Sequence, residues 1–464
     1  MRKIGPHLAV STVGVLCAAR LIHLVELYSV NIFFGDQWQF DEATIFQPHS
    51  LIEIFRWQHG PHRQGVGGVL SKLLEPLFHW NSRYEALGIV GIICLAAVLA
   101  LWLKVRLFGG IGYFDVVIPL LFLTPIQYQV FLEIPNPSHG PLPLLLVICY
   151  CLCWTIETFR WKLAGMLLIN FLLIYTGFGL IMGFITPFLI AVECLWSETE
   201  RGWYLAAIAI ATISMASFFV GYRYWPAVAC FSPSLRNPLY YLLFVAFMLS
   251  TFVGVFVREQ LVPAILAGSL VLLVFATSLP VLLTRFYRQR RTNFKRDIVI
   301  VVLLMYSGLF AFATAYGRLC IGMSQAQETR YSTYMILAFF GLYLGAVSTK
   351  VRIERAVFVS VVFVIALMSS LRVTNSQRAA MDWLHSHKLA WKNCYLATHN
   401  ISKCDLQSGF SIYYSPEPPD LQSKLDLLER NHWNLYSHAP NHQFPEPTST
   451  ATRAMAGPQQ PAKK

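Results

Sequence analysis

Long apolar blocks separated by short polar segments dominate this chain of 464 residues. Most blocks approach the length of about 20 residues that a helix needs to cross a bilayer. Backbone polar groups in hydrocarbon must be hydrogen-bonded within their own segment, so the blocks predict helices. The pattern predicts an all-α polytopic membrane protein with apolar blocks near 8–34, 84–105, 114–132, 141–159, 163–180, 181–196, 203–221, 238–257, 261–284, 298–318, 333–348 and 356–371.

Short basic segments between the blocks predict the orientation. Cytoplasmic loops are enriched in Lys and Arg, and the basic segments here are "KVR" (104–106), "RWK" (160–162), "RQRR" (288–291) and "KVRIER" (350–355). If every block crossed, the loop at 285–297 would lie on the wrong side, so one block between 163 and 260 is expected not to cross. The candidates are the pair 163–196, which "YTGFG" (175–179) interrupts, and the block 238–257. We expect about eleven crossings, with the N-terminus cytoplasmic and the C-terminus outside.

Composition supports this class and argues against a nucleic-acid partner. The chain is 56% apolar and only 13% charged, whereas about 25% of residues are charged in soluble proteins. The net charge of +12 would suggest nucleic acid in a soluble protein. Here the basic residues are flanked by apolar blocks, so membrane lipids are the expected partner of their charge.

Two long polar regions divide the chain further. The first is 35–82, which we expect to be an outer loop of a transmembrane domain spanning 1–371. The second begins at 372, with a small extracytoplasmic region predicted over 372–440 and a segment of disordered composition over 441–464. Cys394 and Cys404 lie in this tail, and the sequence leaves open whether they form a disulfide, because that depends on an oxidising compartment.

The outer loop carries the first candidate chemistry. "FFGDQWQFDEATIF" (33–46) places Asp36, Asp41 and Glu42 where the first helix leaves the membrane. A carboxylate held there can act as a general base. The alternative is that Asp36 only caps the next helix or marks the boundary between membrane and water. The following "SLIEIFRW" (50–57) predicts an amphipathic helix in the membrane interface, which would bring "QHGPHR" (58–63) next to the acids.

Candidate groups for a phosphate or another part of a substrate come from three segments. His59, His62 and Arg63 follow the interfacial helix, and Arg matches phosphate geometry with paired donors. The H-x-x-H spacing also suits zinc, but Gly60 and Pro61 oppose the helix that such pairs usually need, so we predict no zinc site. The remaining candidates are Glu133 and His139 in "EIPNPSHG" (133–140) and Arg330 in "MSQAQETRYSTY" (323–334). For Arg330 the alternatives are an ion pair with Glu328 or a side chain that only extends to the membrane surface.

Four elements resemble the GT-C superfamily of integral-membrane glycosyltransferases, and specifically a poorly characterised bacterial branch of it. They are "GDQW" (35–38), "WQHGPHR" (57–63), "YTGFGLIMGFITPFLI" (175–190) and "SQAQETRYSTYMILAFFGLY" (324–343). By architecture the resemblance covers residues 10–370. The chain departs from the pattern at Thr329, where Ser is expected, and near Glu133, where the loop has few aromatic residues.

The resemblance implies transfer of a sugar, with inversion, from a polyprenyl-phosphate-linked donor to a glycan, lipid or protein acceptor on the extracytoplasmic face of a bacterial inner membrane. Asp36 would be the base, with Asp41 or Glu42 in support, and Arg63 and Arg330 would hold the departing phosphate. No cofactor is certain, although a divalent cation (Mg²⁺ or Mn²⁺) is possible at the acids. These roles predict that Asp36, Asp41 or Glu42, Arg63 and Arg330 line a single cavity.

Two other functions remain open at this point. A lipid or small-solute transporter is favoured by the interrupted block at 175–179, since discontinuous helices bind substrates in transporters. That function predicts a second, related half, which the sequence does not contain. A non-catalytic envelope assembly protein would tolerate replacement of the loop acids.

Overall fold

A computed structural model describes residues 4–47, 49–197, 199–224, 228, 230–232, 237–288, 294–414, 418 and 420–437. Nearly all regular structure in these residues is helical, and a single two-stranded hairpin is formed by β1 (Gln58–His59) and β2 (His62–Arg63). The α-helices are α1 Ile4–Tyr28, α2 Gln37–Phe40, α3 Leu51–Arg56, α4 Gly65–Leu74, α5 Ser82–Phe108, α6 Val117–Phe122, α7 Pro141–Cys153, α8 Phe159–Ile174, α9 Leu180–Trp196, α10 Arg201–Phe218, α11 Pro238–Ser250, α12 Leu261–Arg288, α13 Phe294–Arg318, α14 Ser332–Val347, α15 Arg352–Leu371, α16 Asn375–Thr398, α17 Ile401–Ser408 and α18 Leu421–Arg430. The predicted segment 441–464 lies outside the described residues.

Six helical segments are long and apolar enough to cross a membrane by length and composition. They are Ile4–Tyr28, Ser82–Phe108, Arg201–Phe218, Leu261–Leu282, Phe294–Ile321 and Arg352–Thr398. Shorter apolar helical segments accompany them at Tyr113–Gln127, Pro141–Cys153, Leu180–Trp196 and Pro238–Val253. The architecture is therefore that of an all-α polytopic membrane protein, as the apolar blocks predict.

The helix α13 is the most enclosed of the long apolar helices, with 72% of its apolar window buried. It packs against α14, where a Cβ added at Gly341 would lie 3.2 Å from Leu303 Cβ. On another side α12 approaches α11 so closely that a Cβ added at Gly268 would lie 2.1 Å from the carbonyl oxygen of Ala246. Small residues allow such backbone approach between membrane helices.

The helices α8 and α9 form an antiparallel pair that runs the length of the bundle. At one end the turn between them is bonded to the segment before α7, through Gly177 N–H and the carbonyl of Ser138 at 2.9 Å. At the other end Lys162, near the start of α8, pairs with Glu193, near the end of α9. We call the end that holds the α8–α9 turn the cavity end; α1 ends there and α5 begins there.

The segments that flank α11 on both sides contact the segment that follows α13. Before α11, Cys230 forms a disulfide with Cys320, which follows the end of α13. After α11, Val257 N–H donates to the side-chain oxygen of Gln327 at 2.7 Å, in the same segment after α13. Both flanks of the candidate segment 238–257 are therefore held to the same segment after α13.

The first loop and the C-terminal region share a second core beyond the cavity end. Trp38 is fully buried and donates to the carbonyl of Ile412 at 3.1 Å. Asn434 is also fully buried, accepts from Phe33 N–H at 3.1 Å and donates to the carbonyl of Trp80 at 2.8 Å. The region after 372 is therefore bound onto the first loop. Within that region Cys394 and Cys404 are joined by a disulfide, which settles what the sequence left open.

A short amphipathic helix, α3, is present where the sequence predicts one. Ser50 caps it by accepting from Glu53 N–H at 3.3 Å, while the Glu53 carboxylate accepts from Ser50 N–H at 2.8 Å. Ile54 is buried, whereas Ile52 is 73% exposed. The helix therefore packs one side against the bundle and leaves an apolar side free.

Candidate functional site

A cavity of about 870 Å³ opens at the cavity end, between the membrane bundle and the C-terminal region. Its walls come from the exit of α1, the β1–β2 hairpin, the segment before α7, the α8–α9 turn and the segments after α10 and α13. The C-terminal region covers the side of the cavity that faces away from the bundle. The charged, histidine and tyrosine side chains of the lining are Asp36, Glu42, His59, His62, Glu133, His139, Arg223, Arg318, Glu328, Arg330, Tyr331, Tyr334, Tyr414 and Lys424.

The hairpin delivers two histidines to this cavity because its turn is very tight. His59 pairs with His62 across the two strands, and Gly60 between them has a φ of +53°, which favours glycine. The prediction that Gly60 and Pro61 oppose a helix is confirmed. The two rings lie beside His139, with ring centroids 6.3 Å away for His59 and 5.0 Å for His62.

These three histidines are neutral near neutral pH, which changes their expected part in the chemistry. Burial lowers the pKa of His62 to about 3, with a further contribution from His59 and Arg318. Burial likewise lowers the pKa of His139 and of His59. Neutral imidazoles donate and accept hydrogen bonds but bring no charge to a phosphate. The Nε2 of His139 is buried and has no hydrogen-bond partner among the described residues.

The three acids of the first loop are placed differently from one another. Asp36 lines the cavity, and its carboxylate makes no hydrogen bond or ion pair with a described residue. Glu42 also lines the cavity but pairs with Lys424 at 2.5 Å. Asp41 lies outside the lining, where it accepts from Thr44 at 3.0 Å and where burial and Glu75 raise the pKa of its carboxyl group. Asp36 is thus the loop acid that remains available to a substrate.

A second pair of acids lies near Arg330. Gln129 anchors this segment by donating to the Glu328 carboxylate at 2.6 Å and accepting from Arg330 N–H at 3.1 Å. Burial raises the pKa of the Glu133 carboxyl group, and the nearby charge of Arg330 acts against that increase. Lys388 fixes the backbone at this point by donating to the carbonyl of Glu133 at 2.8 Å. The geometry surrounds Arg330 with acids and leaves its buried Nε without a partner among the described residues.

Arg63 is not where its predicted role needs it. Its side chain is 3% exposed and lies outside the cavity lining. The guanidinium donates to the carbonyls of Phe218, at 3.0 and 2.7 Å, of Val220, at 2.9 Å, and of Arg56. These carbonyls use the donors that a phosphate would need, so Arg63 holds the hairpin to the end of α10.

Two arginines that the sequence analysis did not single out line the cavity instead. The guanidinium groups of Arg223 and Arg318 form no hydrogen bond or ion pair with any described residue. Gln58 of the hairpin fixes the backbone of Arg223 through bonds of 2.9 and 2.6 Å. Arg318 could have been found from its place at the end of an apolar block, since an ionisable residue at such a boundary is a functional hypothesis.

The predicted convergence is therefore partial: the cavity brings together Asp36, Glu42 and Arg330 but not Asp41 and Arg63. In the part of the chain that the structure describes, no group of three or more His, Cys, Asp or Glu side chains could hold a metal ion. We derive no chemical step through a divalent cation.

Comparisons with protein-family models, curated proteins and solved structures found no match for this chain.

Proposed function

We propose that this protein is a membrane glycosyltransferase that moves a sugar from a polyprenyl-phosphate donor to an acceptor hydroxyl on the extracytoplasmic face. The observation that supports it best is the pairing of opposite free charges in one cavity. The carboxylate of Asp36 and the guanidinium groups of Arg223 and Arg318 face the same space. A base for a hydroxyl and cations for a leaving phosphate are the two requirements of such a transfer.

The proposed reaction is a single displacement at the anomeric carbon. Asp36 takes the proton of the acceptor hydroxyl while that oxygen attacks the anomeric carbon. The bond from this carbon to the phosphate oxygen breaks, and its electron pair leaves with the lipid phosphate. Arg318 and Arg223 stabilise the charge that develops there, because cations already in position need no reorganisation. One displacement inverts the configuration of the sugar.

The remaining lining residues suit the neutral and bulky parts of a substrate. The neutral rings of His59, His62 and His139 can exchange hydrogen bonds with sugar hydroxyls. Arg330, surrounded by Glu133 and Glu328, is proposed to keep those acids in place and to offer its free Nε to the substrate. This assignment replaces Arg63 with Arg318 as the principal phosphate-binding residue.

We also propose eleven crossings, with α11 entering and leaving at the outer face. Basic residues concentrate at the end of the bundle opposite the cavity, which suits a cytoplasmic face. Both disulfides lie at the cavity end or in the region bound to it, as an oxidising outer compartment allows. The membrane would be a bacterial inner membrane with a cytoplasmic N-terminus and an extracytoplasmic C-terminus.

The test is turnover by the purified full-length chain with a panel of polyprenyl-phosphate sugars. Asp36→Asn should lower turnover by about 10²–10⁴-fold while leaving thermal protection by the donor intact. Arg318→Gln should weaken that protection. Glu429→Gln, which removes an exposed acid of α18 outside the cavity, is the matched control and should change neither.

Two results would contradict the proposal. The first is full turnover by the Asp36→Asn variant, which would remove the assigned base. The second is the absence of both turnover and thermal protection across the panel, which would remove the donor class.

A transporter is the second candidate, and the α8–α9 turn favours it. Phe178 in this turn has a φ of +59° and lines the cavity, and the carbonyl of Gly177 accepts from Tyr334 at 3.2 Å. An interrupted helix beside a cavity is a common substrate site in transporters. Flux of an intact polyprenyl-phosphate sugar into vesicles, unaffected by Asp36→Asn, would favour this function over sugar transfer.

A further inference from the structure

A second cavity, of about 360 Å³, lies at the opposite end of the bundle. It is formed between the end of α5, the segment before α6, the end of α14 and the first turns of α15. Its lining includes Lys104, Asp115, Tyr343, Arg352 and Arg355. None of these residues takes part in the function proposed above.

The floor of this second cavity is a closed polar network. Lys104 pairs with Asp115 at 2.5 Å and also donates to the carbonyl of Gly110 at 2.8 Å. The other carboxylate oxygen of Asp115 accepts from Tyr343 at 2.6 Å. The charges of Lys104 and Asp115 therefore cancel within the protein.

The cations at the rim are different, because they are not neutralised within the protein. The side chains of Arg352 and Arg355 are exposed and make no hydrogen bond or ion pair with any described residue. Glu354, between them in sequence, does not line the cavity. The cavity thus has an excess of two positive charges at its mouth.

An apolar surface continues from this mouth along the outside of the bundle. Phe114 is 50% exposed and Tyr113 is 63% exposed beside the cavity, and Val357 and Phe358 of α15 are 55% and 46% exposed. In a protein that crosses a membrane, such side chains face acyl chains. Paired guanidinium groups above an apolar surface match a ligand with an anionic head and an apolar body.

We propose that this second cavity binds an anionic phospholipid, with Arg352 and Arg355 holding its phosphate and with the acyl chains lying along Phe114 and the outer side of α15. Guanidinium groups bind phosphate oxygens in pairs, and basic pockets between membrane helices bind anionic head groups. Free phosphate would satisfy the two arginines equally, but it would leave the apolar surface uncovered. The site is independent of the sugar-transfer proposal.

The experiment measures lipid binding to the purified full-length chain by native mass spectrometry. Phosphatidylglycerol and phosphatidylcholine of identical acyl chains are the two probes. We expect one phosphatidylglycerol to stay bound under conditions that remove phosphatidylcholine. The double variant R352Q/R355Q should lower the fraction with bound phosphatidylglycerol about tenfold, the loss expected for removing charge-assisted bonds to one phosphate.

Two further variants separate the cavity from general surface charge. Ala356→Trp fills the cavity from an exposed position and keeps both arginines, and it should also lose the bound lipid. R160Q/K350Q removes two positive charges from the same end outside the cavity and should bind like the unchanged protein. Each variant changes only exposed positions, so we expect all of them to fold. Gel filtration and the melting temperature check this before lipid binding is measured.

The proposal is overturned if R352Q/R355Q or Ala356→Trp keeps the lipid, or if R160Q/K350Q loses it to the same extent. It is also overturned if both lipids bind equally. A final arm adds inorganic phosphate at millimolar concentration. Complete displacement of phosphatidylglycerol by phosphate would show a simple anion site and would contradict the assigned role of the acyl chains.

Discussion

Replacing Arg63 with Met distinguishes a structural arginine from one that binds a substrate. Methionine keeps the unbranched apolar stem and removes the guanidinium. The change deletes the bonds to the carbonyls of Phe218, Val220 and Arg56. It also frees the buried site from the desolvation cost of a charge, so the loss is smaller than a sum over these bonds.

The expected magnitude follows from those contacts. A hydrogen bond to a charged group contributes about 1.5–3 kcal/mol. The carbonyl of Phe218 loses its side-chain donor in a place where Arg63 itself is 3% exposed, whereas the carbonyl of Val220 keeps its bond from Arg56. Allowing for the desolvation gain, we expect Arg63→Met to lower the free energy of unfolding by about 3 kcal/mol. For a chain of this length this corresponds to a melting temperature lower by about 3 °C.

The assay is thermal unfolding in detergent followed by tryptophan fluorescence, with and without a polyprenyl-phosphate sugar. Arg56→Met is the matched control, because Arg56 is exposed and gives Val220 a single bond of 3.1 Å; it should cost less than about 0.5 kcal/mol. In both variants the added stability from the donor should persist. An Arg63→Met protein that melts like the unchanged chain but gains nothing from the donor would refute this reasoning and restore Arg63 as a phosphate-binding residue.

Three further predictions concern the region beyond the cavity end. Asn434→Ala leaves Phe33 N–H and the carbonyl of Trp80 without partners and should cost about 3 kcal/mol, seen as faster proteolysis after residue 372, whereas the exposed Asn431→Ala should not accelerate cleavage. Replacing Cys394 and Cys404 with Ser opens a loop ten residues long and should lower the free energy of unfolding by about 2.5 kcal/mol. Thermal unfolding without reductant measures this loss, and an unchanged melting temperature would contradict a native disulfide. Burial raises the pKa of Glu75 to about 7 from its usual 4.5. The stability that the protonated carboxyl group contributes is complete below about pH 4.5 and is lost as the pH rises through 7. Glu75→Gln should therefore flatten the fall in melting temperature between about pH 5 and 8, and a pH profile identical to that of the unchanged protein would contradict this assignment.

The search for a segment that does not cross the membrane shows how far the sequence alone leads. Charge counting in the loops requires one segment between 163 and 260 not to cross, and it leaves two candidates. Our proposal that 238–257 is this segment rests on contacts across long sequence separations, namely Cys230 with Cys320 and Val257 with Gln327. No periodicity within 238–257 carries that information, because an apolar helix has the same composition whether it crosses or returns.

The cavity shows the same division between local and distant information. Asp36 and Arg330 are identifiable in the sequence because an ionisable residue at the edge of a membrane-spanning block is energetically unfavourable and therefore suggests a functional site. Arg63 stands in an equally suggestive motif, yet its donors are taken by carbonyls 155 and 157 residues away in the chain. Arg318 is marked as a candidate by its place at the end of an apolar block, but that its guanidinium group and that of Arg223 lack partners among the described residues depends on the packing around them.

The sequence by itself determined the helices, the membrane class and the basic end of the bundle, because hydrophobic length and charge act on each segment separately. Tertiary structure alone decided which charged groups bond to partners within the protein and which face a cavity. The physical reason is that a hydrogen bond or ion pair depends on two groups that packing brings together. A side chain's availability to a ligand is therefore a property of the fold and not of its motif.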